Sequence, residues 1–123
     1  MAFVCHRYDG HVIGLYELAL VTHIGRHRDS HIRLNDPQVS SRHAQLSLDV
    51  ADARWRLANL SRTNGVRHGG EAVDMVVLSP GYRFQVAAHE FEFIREVPQS
   101  LLTQHGVKQS WVPGICFDPS CSN

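Results

Sequence analysis

A chain of 123 residues has room for one domain with a real core and not for two. Its 12 Lys and Arg balance 12 Asp and Glu, so no global charge draws it to nucleic acid or to a membrane surface. The longest apolar runs, such as Met75 to Leu78, fall far short of a membrane span. The N-terminus from Met1 to Arg7 lacks the basic-then-apolar layout of a secretory signal, which makes the cytoplasm the expected compartment.

Short β-branched and aromatic segments separated by turn residues predict strands over Val12 to Leu18, Leu20 to Ile24 and Ile32 to Leu34. The last is closed by the turn former Asn35-Asp36-Pro37. Ala44 to Asp49 and Trp55 to Ala58 alternate apolar and polar positions, as strands with one buried face do, and Val50 to Ala53 fits a hairpin loop between them. Thr63-Asn64-Gly65, Gly69-Gly70 and Ser79-Pro80-Gly81 mark turns, with a further one at Ala88-His89. The strands between are Val76 to Leu78, Arg83 to Val86 and Phe91 to Arg95, with Phe91 and Phe93 on one face. Many short strands at this spacing predict an all-β fold, an antiparallel sandwich or barrel.

From Pro98 the composition turns to proline and polar residues with only brief apolar patches. Residues 98–123 therefore read as a largely irregular tail after a domain of residues 1–97. Ser100 to Gln104 suits a single helical turn, and Trp111, Val112, Ile115 and Phe117 are the side chains through which the tail would dock. Three cysteines, Cys5, Cys116 and Cys121, make an odd count with no second pair beside Cys116 and Cys121, so reduced thiols are expected rather than disulfides or a structural metal. His27 and His31 have a ligand-like spacing but sit in a predicted loop with no acidic partner, and no metal or other cofactor is expected. There is no Gly-x-Ser-x-Gly elbow, no P-loop and no cysteine with an activating neighbour. The Ser40 and His43 of one loop do not make a triad. These absences favour a binding module over an enzyme.

Three loop segments place polar groups where a sandwich has no structural need of them. They are Gly25-Arg26 after one strand, Ser40-Ser41-Arg42-His43 before another, and Ser61-Arg62-Thr63-Asn64-Gly65 between two more. Gathered at one end, they offer guanidinium, hydroxyl, amide and turn N–H donors, a set suited to a phosphate dianion. Each piece alone has a plainer reading: a solvated arginine, a capping serine, a hairpin turn.

In this order, Gly25-Arg26, the Ser-x-x-His of Ser40 and His43, and Asn64-Gly65 resemble the signature of forkhead-associated (FHA) domains. Ile32-Arg33-Leu34 is similar to the family's short strand before the serine loop. Asn59-Leu60 stands where Asp-Leu often precedes the Asn-Gly turn. Leu78 to Gly81, then Phe84 and Phe91-Glu92-Phe93, resemble the closing hairpin. The resemblance covers about residues 12–96. It implies an antiparallel β-sandwich of the FHA type that binds phosphothreonine peptides and mediates phosphorylation-dependent interactions in signalling or regulated assembly.

By that resemblance Arg26 and Ser40 contact the phosphate, while Ser41 and Arg42 touch phosphate or peptide backbone. Thr63 lines a pocket for the threonine γ-methyl, and Asn64 bonds the peptide backbone. Gly25, His43 and Gly65 hold the loops. Gln38 stands where the family often reads the third residue after the phosphothreonine, and a neutral Gln there argues against a strong demand for an acidic one. The sequence departs from the pattern at Arg62, often Ser, at Val66, usually Thr, at Arg67-His68-Gly69 in place of Val-Asn-Gly, and at Tyr82 in place of Asp. Arg62 and Arg67 favour a more acidic ligand. The implied partner is a phosphothreonine-containing protein, a substrate of a Ser/Thr kinase, with neither nucleic acid nor membrane involved. Two rival readings are an FHA-fold scaffold for an unphosphorylated partner and a metal-dependent enzyme built on the histidines.

Overall fold

In chain order the strands of the computed structural model are β1 (Phe3–Tyr8), β2 (His11–Glu17), β3 (Val21–Gly25), β4 (Ile32–Leu34), β5 (Ala44–Asp49), β6 (Arg54–Asn59), β7 (Val66–His68), β8 (Glu71–Val73), β9 (Met75–Val77), β10 (Arg83–Val86) and β11 (His89–Ile94). One helical turn, α1 (Gln99–Leu102), and two short strands, β12 (Val107–Gln109) and β13 (Cys116–Phe117), follow. The structure describes residues 1–111 and the backbone of 116–117.

Alternation explains why these strands form two layers. In β5 Ala44 and Leu46 are buried, and in β6 Trp55 and Leu57 are, with polar neighbours turned outward. In β11 the buried set is His89, Phe91 and Phe93. Sheet one runs β12-β2-β1-β11-β10-β7-β8 and sheet two β13-β4-β3-β5-β6-β9. Their inner faces share one core, in which Phe84 stacks on Phe91 at 5.5 Å and Trp55 tilts against Phe93 at 6.1 Å.

The sandwich is as expected, and most ladders are antiparallel, but β3 with β4, β2 with β12 and β4 with β13 are parallel. β1 is a strand that the periodicity does not reveal. It is flanked by β2 and β11, and Val4, Cys5 and His6 in succession are buried, so no alternation survives in it. The short β7 and β8 form a hairpin across Gly69-Gly70, too brief to show a period. The turn expected at Ala88-His89 lies one residue earlier: Ala87 takes a φ of 53° and His89 already belongs to β11.

Beyond Pro98, α1 falls within the helical turn expected there, and β12 and β13 each add an edge strand to one sheet. Trp111 is 46% exposed and does not dock the tail. Ser110 does, its hydroxyl accepting Ala19 N–H at 3.1 Å and its own N–H donating to Glu17 O at 3.0 Å. The side chains of Val112, Ile115, Cys116, Phe117 and Cys121 lie outside the described residues. Cys5 is a free, buried thiol. No helix among the described residues is long and apolar enough to cross a membrane.

Register brings six strand ends to one end of the sandwich. Ile24 of β3 pairs with Ala44 of β5, which pairs with Asn59 of β6, while in the other sheet Val66 pairs with Val86 beside His89. The loops after β3, β4, β6 and β10 therefore open on the same rim.

Candidate functional site

Backbone hydrogen bonds tie each rim loop to the next. Arg26 N–H donates to Ser40 O at 2.9 Å and His27 N–H to Ser41 O at 3.0 Å, locking the loop after β3 to the loop before β5. Glycine at position 25 makes that approach possible. A Cβ there would lie 3.0 Å from the Ser41 carbonyl carbon, 3.1 Å from Arg42 Cα, and nearer still to the Ser41 oxygen. Gly25 is not in the left-handed region, so the requirement is for space.

His43 joins the second loop to the third. Its Nδ1 accepts Ser40 N–H at 3.0 Å, so the ring hydrogen sits on Nε2, which donates to Gly65 O at 2.7 Å. The ring is fully buried, and burial holds its pKa below the ordinary histidine value, with the Gly65 bond acting in the opposite sense. The neutral ring is the form this brace needs, because a proton on Nδ1 would face the Ser40 N–H. Both nitrogens being committed to backbone groups, His43 is not aimed at the Ser40 hydroxyl as a base would be.

Three hydroxyls occupy the middle. Ser40 Oγ is 2.7 Å from Ser61 Oγ and 3.2 Å from Thr63 Oγ1. Ser61 Oγ accepts the N–H groups of Thr63 and Gly65, each at 3.3 Å. With both lone pairs engaged, its own hydrogen goes to Ser40 Oγ, which leaves the Ser40 hydrogen for Thr63 or for a ligand. Sequence reasoning assigns no role to Ser61. The available signal was Asn59, whose Oδ1 accepts Ser61 N–H at 2.9 Å and whose Nδ2 donates to Ser61 O at 3.1 Å, a local Asx turn that seats the serine.

Asn64 and Gln38, from different loops, form a second cluster. Asn64 Nδ2 donates to Gln38 O at 2.6 Å and lies 3.4 Å from Gln38 Oε1. The two share the lining of a cavity of about 280 Å³ with Gly65, Arg67, Gln85 and Ala87. Gly65 supports the turn with a φ of +68°.

The FHA domain family model matches residues 22–87, more than half of the chain and all three loops. The chain belongs to the FHA domain family. Among its relatives is the glycogen accumulation regulator GarA of Mycobacterium tuberculosis, 34% identical over 74 residues, which are 60% of this chain and 44% of GarA. The match thus spans less than half the length of that relative. Mycobacterium tuberculosis EmbR, solved in complex with a low-affinity phosphopeptide, superposes with a TM-score of 0.67 at 29% identity over 80% of this chain and 25% of EmbR. A structure from work on phosphothreonine-dependent FHA domain interactions gives a TM-score of 0.65 at 27% identity, covering 78% of this chain and 99% of the other.

In this FHA domain the remaining sequence-predicted residues lie on the rim surface. Arg26, Ser41, Arg42 and Arg62 are exposed, and none of the three arginines has a carboxylate within ion-pair distance among the described residues. By contrast Arg7, Arg56 and Arg83, away from these loops, are all paired with acids. A chain of zero net charge therefore keeps uncompensated cations on its three rim loops. His27 and His31 do not converge on a metal site. Each uses Nδ1 to accept a backbone N–H, from Asp29 at 3.1 Å and His23 at 3.0 Å. The described residues contain no group of three or more His, Cys, Asp or Glu side chains able to hold a metal ion.

Proposed function

We propose that this FHA domain, comprising residues 1–97, is a phosphothreonine-peptide-binding module mediating phosphorylation-dependent protein association. The observation that carries this reading is the meeting of the Ser40 and Thr63 hydroxyls, 3.2 Å apart, from two loops, the first of which is tied through its backbone to that of Arg26, an arginine with no carboxylate partner among the described residues. Arg26 supplies charge-assisted, forked bonds to the phosphate, and Ser40, its hydrogen directed by Ser61, adds a third donor. Thr63 lines the γ-methyl pocket. Asn64 keeps its carbonyl oxygen and one N–H for peptide backbone, the other N–H being held by Gln38. Ser41 and Arg42 flank the phosphate, and Arg62 extends the basic rim toward an acidic ligand. The phosphopeptide in the EmbR complex and the phosphothreonine dependence of the other FHA structure agree with this assignment.

The test is a titration with an oriented phosphothreonine peptide library and its unphosphorylated and phosphoserine counterparts. Binding is expected for the phosphothreonine set alone. Arg26→Ala is expected to weaken it by roughly 10- to 100-fold, the worth of one charge-assisted pair. Equal uptake of the unphosphorylated set, or full binding by the Arg26→Ala, Ser40→Ala double variant, overturns the reading in favour of a phosphate-independent scaffold.

A further inference from the structure

A line of buried polar side chains runs from the core to the rim, and nothing in the phosphate reading uses it. Asp36, in the loop after β4, accepts Gln38 N–H on Oδ1 at 2.9 Å, and its Oδ2 is 3.1 Å from Nε2 of His89. His89 Nδ1 lies 2.9 Å from Nε2 of His6, and His6 Nδ1 lies 3.4 Å from the Tyr16 hydroxyl. Both histidines are fully buried, and His6 is stacked on Phe91 at 4.4 Å.

The hydrogen placement follows from one end. A carboxylate only accepts, so His89 carries its hydrogen on Nε2 and accepts on Nδ1. His6 must then donate from Nε2, which leaves its Nδ1 to accept from Tyr16. Burial keeps both rings neutral. It lowers the His6 pKa to about 3, helped by His89, and lowers that of His89 although Asp36 opposes it. The two histidines thus share one tautomer, dictated by Asp36.

The Asp36–His89 bond adjoins the cavity beside Asn64 through neighbours in the chain. Gln38, one wall of the cavity, hangs on Asp36 through its N–H. Ala87 and Ala88, another part of its wall, lead directly into His89 through the turn in which Ala87 takes a left-handed φ of 53°. The Asp36–His89 bond therefore clasps the two walls together.

We propose that Asp36 and His89, with His6 behind them, are positioning residues that set the gap between these walls and thereby select which peptide side chain the cavity admits. The inference rests on the phosphopeptide reading of the rim. Isolated buried polar groups serve the fold by being satisfied, but this line joins a loop of one sheet to the turn of the other, next to residues that line the cavity.

Asp36→Asn tests the hydrogen placement. An asparagine whose Oδ1 still accepts Gln38 N–H presents its NH₂ to His89, forcing His89 and then His6 to carry hydrogen on Nδ1. Imidazole ¹⁵N NMR is expected to show both rings as Nε2–H in the wild type and as Nδ1–H in the variant. With the oriented phosphothreonine library, the wild type is expected to discriminate by about tenfold at one peptide position, as a shaped pocket does. Asp36→Asn keeps a hydrogen bond to His89, only reversed in direction, and is expected to hold the wild-type profile, as is His89→Gln, which keeps a donor near Nε2. His89→Leu, which removes the bond, is expected to reduce the discrimination to under about twofold while dependence on phosphate persists. Asp36→Ala is expected to do the same should His89→Leu fold poorly. A wild-type profile from His89→Leu or Asp36→Ala overturns the positioning role alone. A wild type that takes up no phosphopeptide overturns the reading of the site and this role with it.

Discussion

A methyl group on Gly25 would collide with backbone on the neighbouring loop, and the consequence can be sized. In Gly25→Ala the Cβ meets the Ser41 carbonyl group and Arg42 Cα at 3.0–3.1 Å and less, none of which can rotate aside. Relief requires the two loops to part, which stretches the Arg26 N–H to Ser40 O and His27 N–H to Ser41 O bonds. Overpacking costs roughly 1–3 kcal/mol, and each of the two weakened bonds adds about 0.5–1.5 kcal/mol, so a loss of about 2–6 kcal/mol is expected. For a domain of this size that is roughly 10–25 °C in Tm, read by calorimetry or near-ultraviolet circular dichroism. Arg26 and Ser40 move apart together, beyond the ~0.5 Å tolerance of a preorganised site, so phosphothreonine-peptide affinity is expected to fall about tenfold or more by fluorescence anisotropy. Gly106→Ala is the control, since its Cβ would meet nothing within 4 Å. A Gly25→Ala protein that melts within about 2 °C of the wild type and binds the peptide unchanged would refute the reasoning.

Ser61→Ala removes the acceptor of two backbone N–H groups and the donor that orients Ser40. It is expected to cost about 1–3 kcal/mol of stability in urea titrations and to weaken phosphopeptide binding, whereas a purely exposed serine would leave both unchanged. Acid is expected to destabilise the fold before most carboxylates titrate. His6, His43 and His89 have folded pKa values lowered by burial, so below about 6.5 the unfolded chain binds more protons than the native one. Their contribution is intact above that pH and is lost as pH falls through the window down to the folded values. His6, at about 3, accounts for ~1.4 kcal/mol by pH 5.5, and the others add to it. A urea midpoint that stays flat from pH 7 to 5 contradicts this. Ala53, exposed in the β5–β6 hairpin with a φ of 56°, is expected to be better as glycine. Ala53→Gly should raise stability by up to ~1 kcal/mol without altering phosphopeptide binding, as a melting curve and a titration would show.

Legibility followed how local the cause was. The bounds of β4, β5 and β10 follow from alternation and flanking turn residues alone, because each strand has one face toward the core. β1 escapes such reading since Val4, Cys5 and His6 are buried in succession, which leaves no period of two to see. β12 and β13 escape it because edge pairing depends on which backbone happens to be open beside them. At the rim, Gly25, Arg26, Ser40, His43 and Asn64 stood out by type and order, while Ser61 did not, since a serine in a turn is ordinary until its lone pairs are counted.

The sequence alone therefore determined the all-β class, the FHA resemblance and the inventory of donors on three loops, because strand period and turn chemistry are written over a few adjacent residues. Only the tertiary structure decided that Gly25 serves close approach, that His43 spends both nitrogens on backbone, and that Asp36, His89 and His6 form one directed line. Those facts depend on distances between residues as far apart as 83 positions in the chain, which no local pattern encodes.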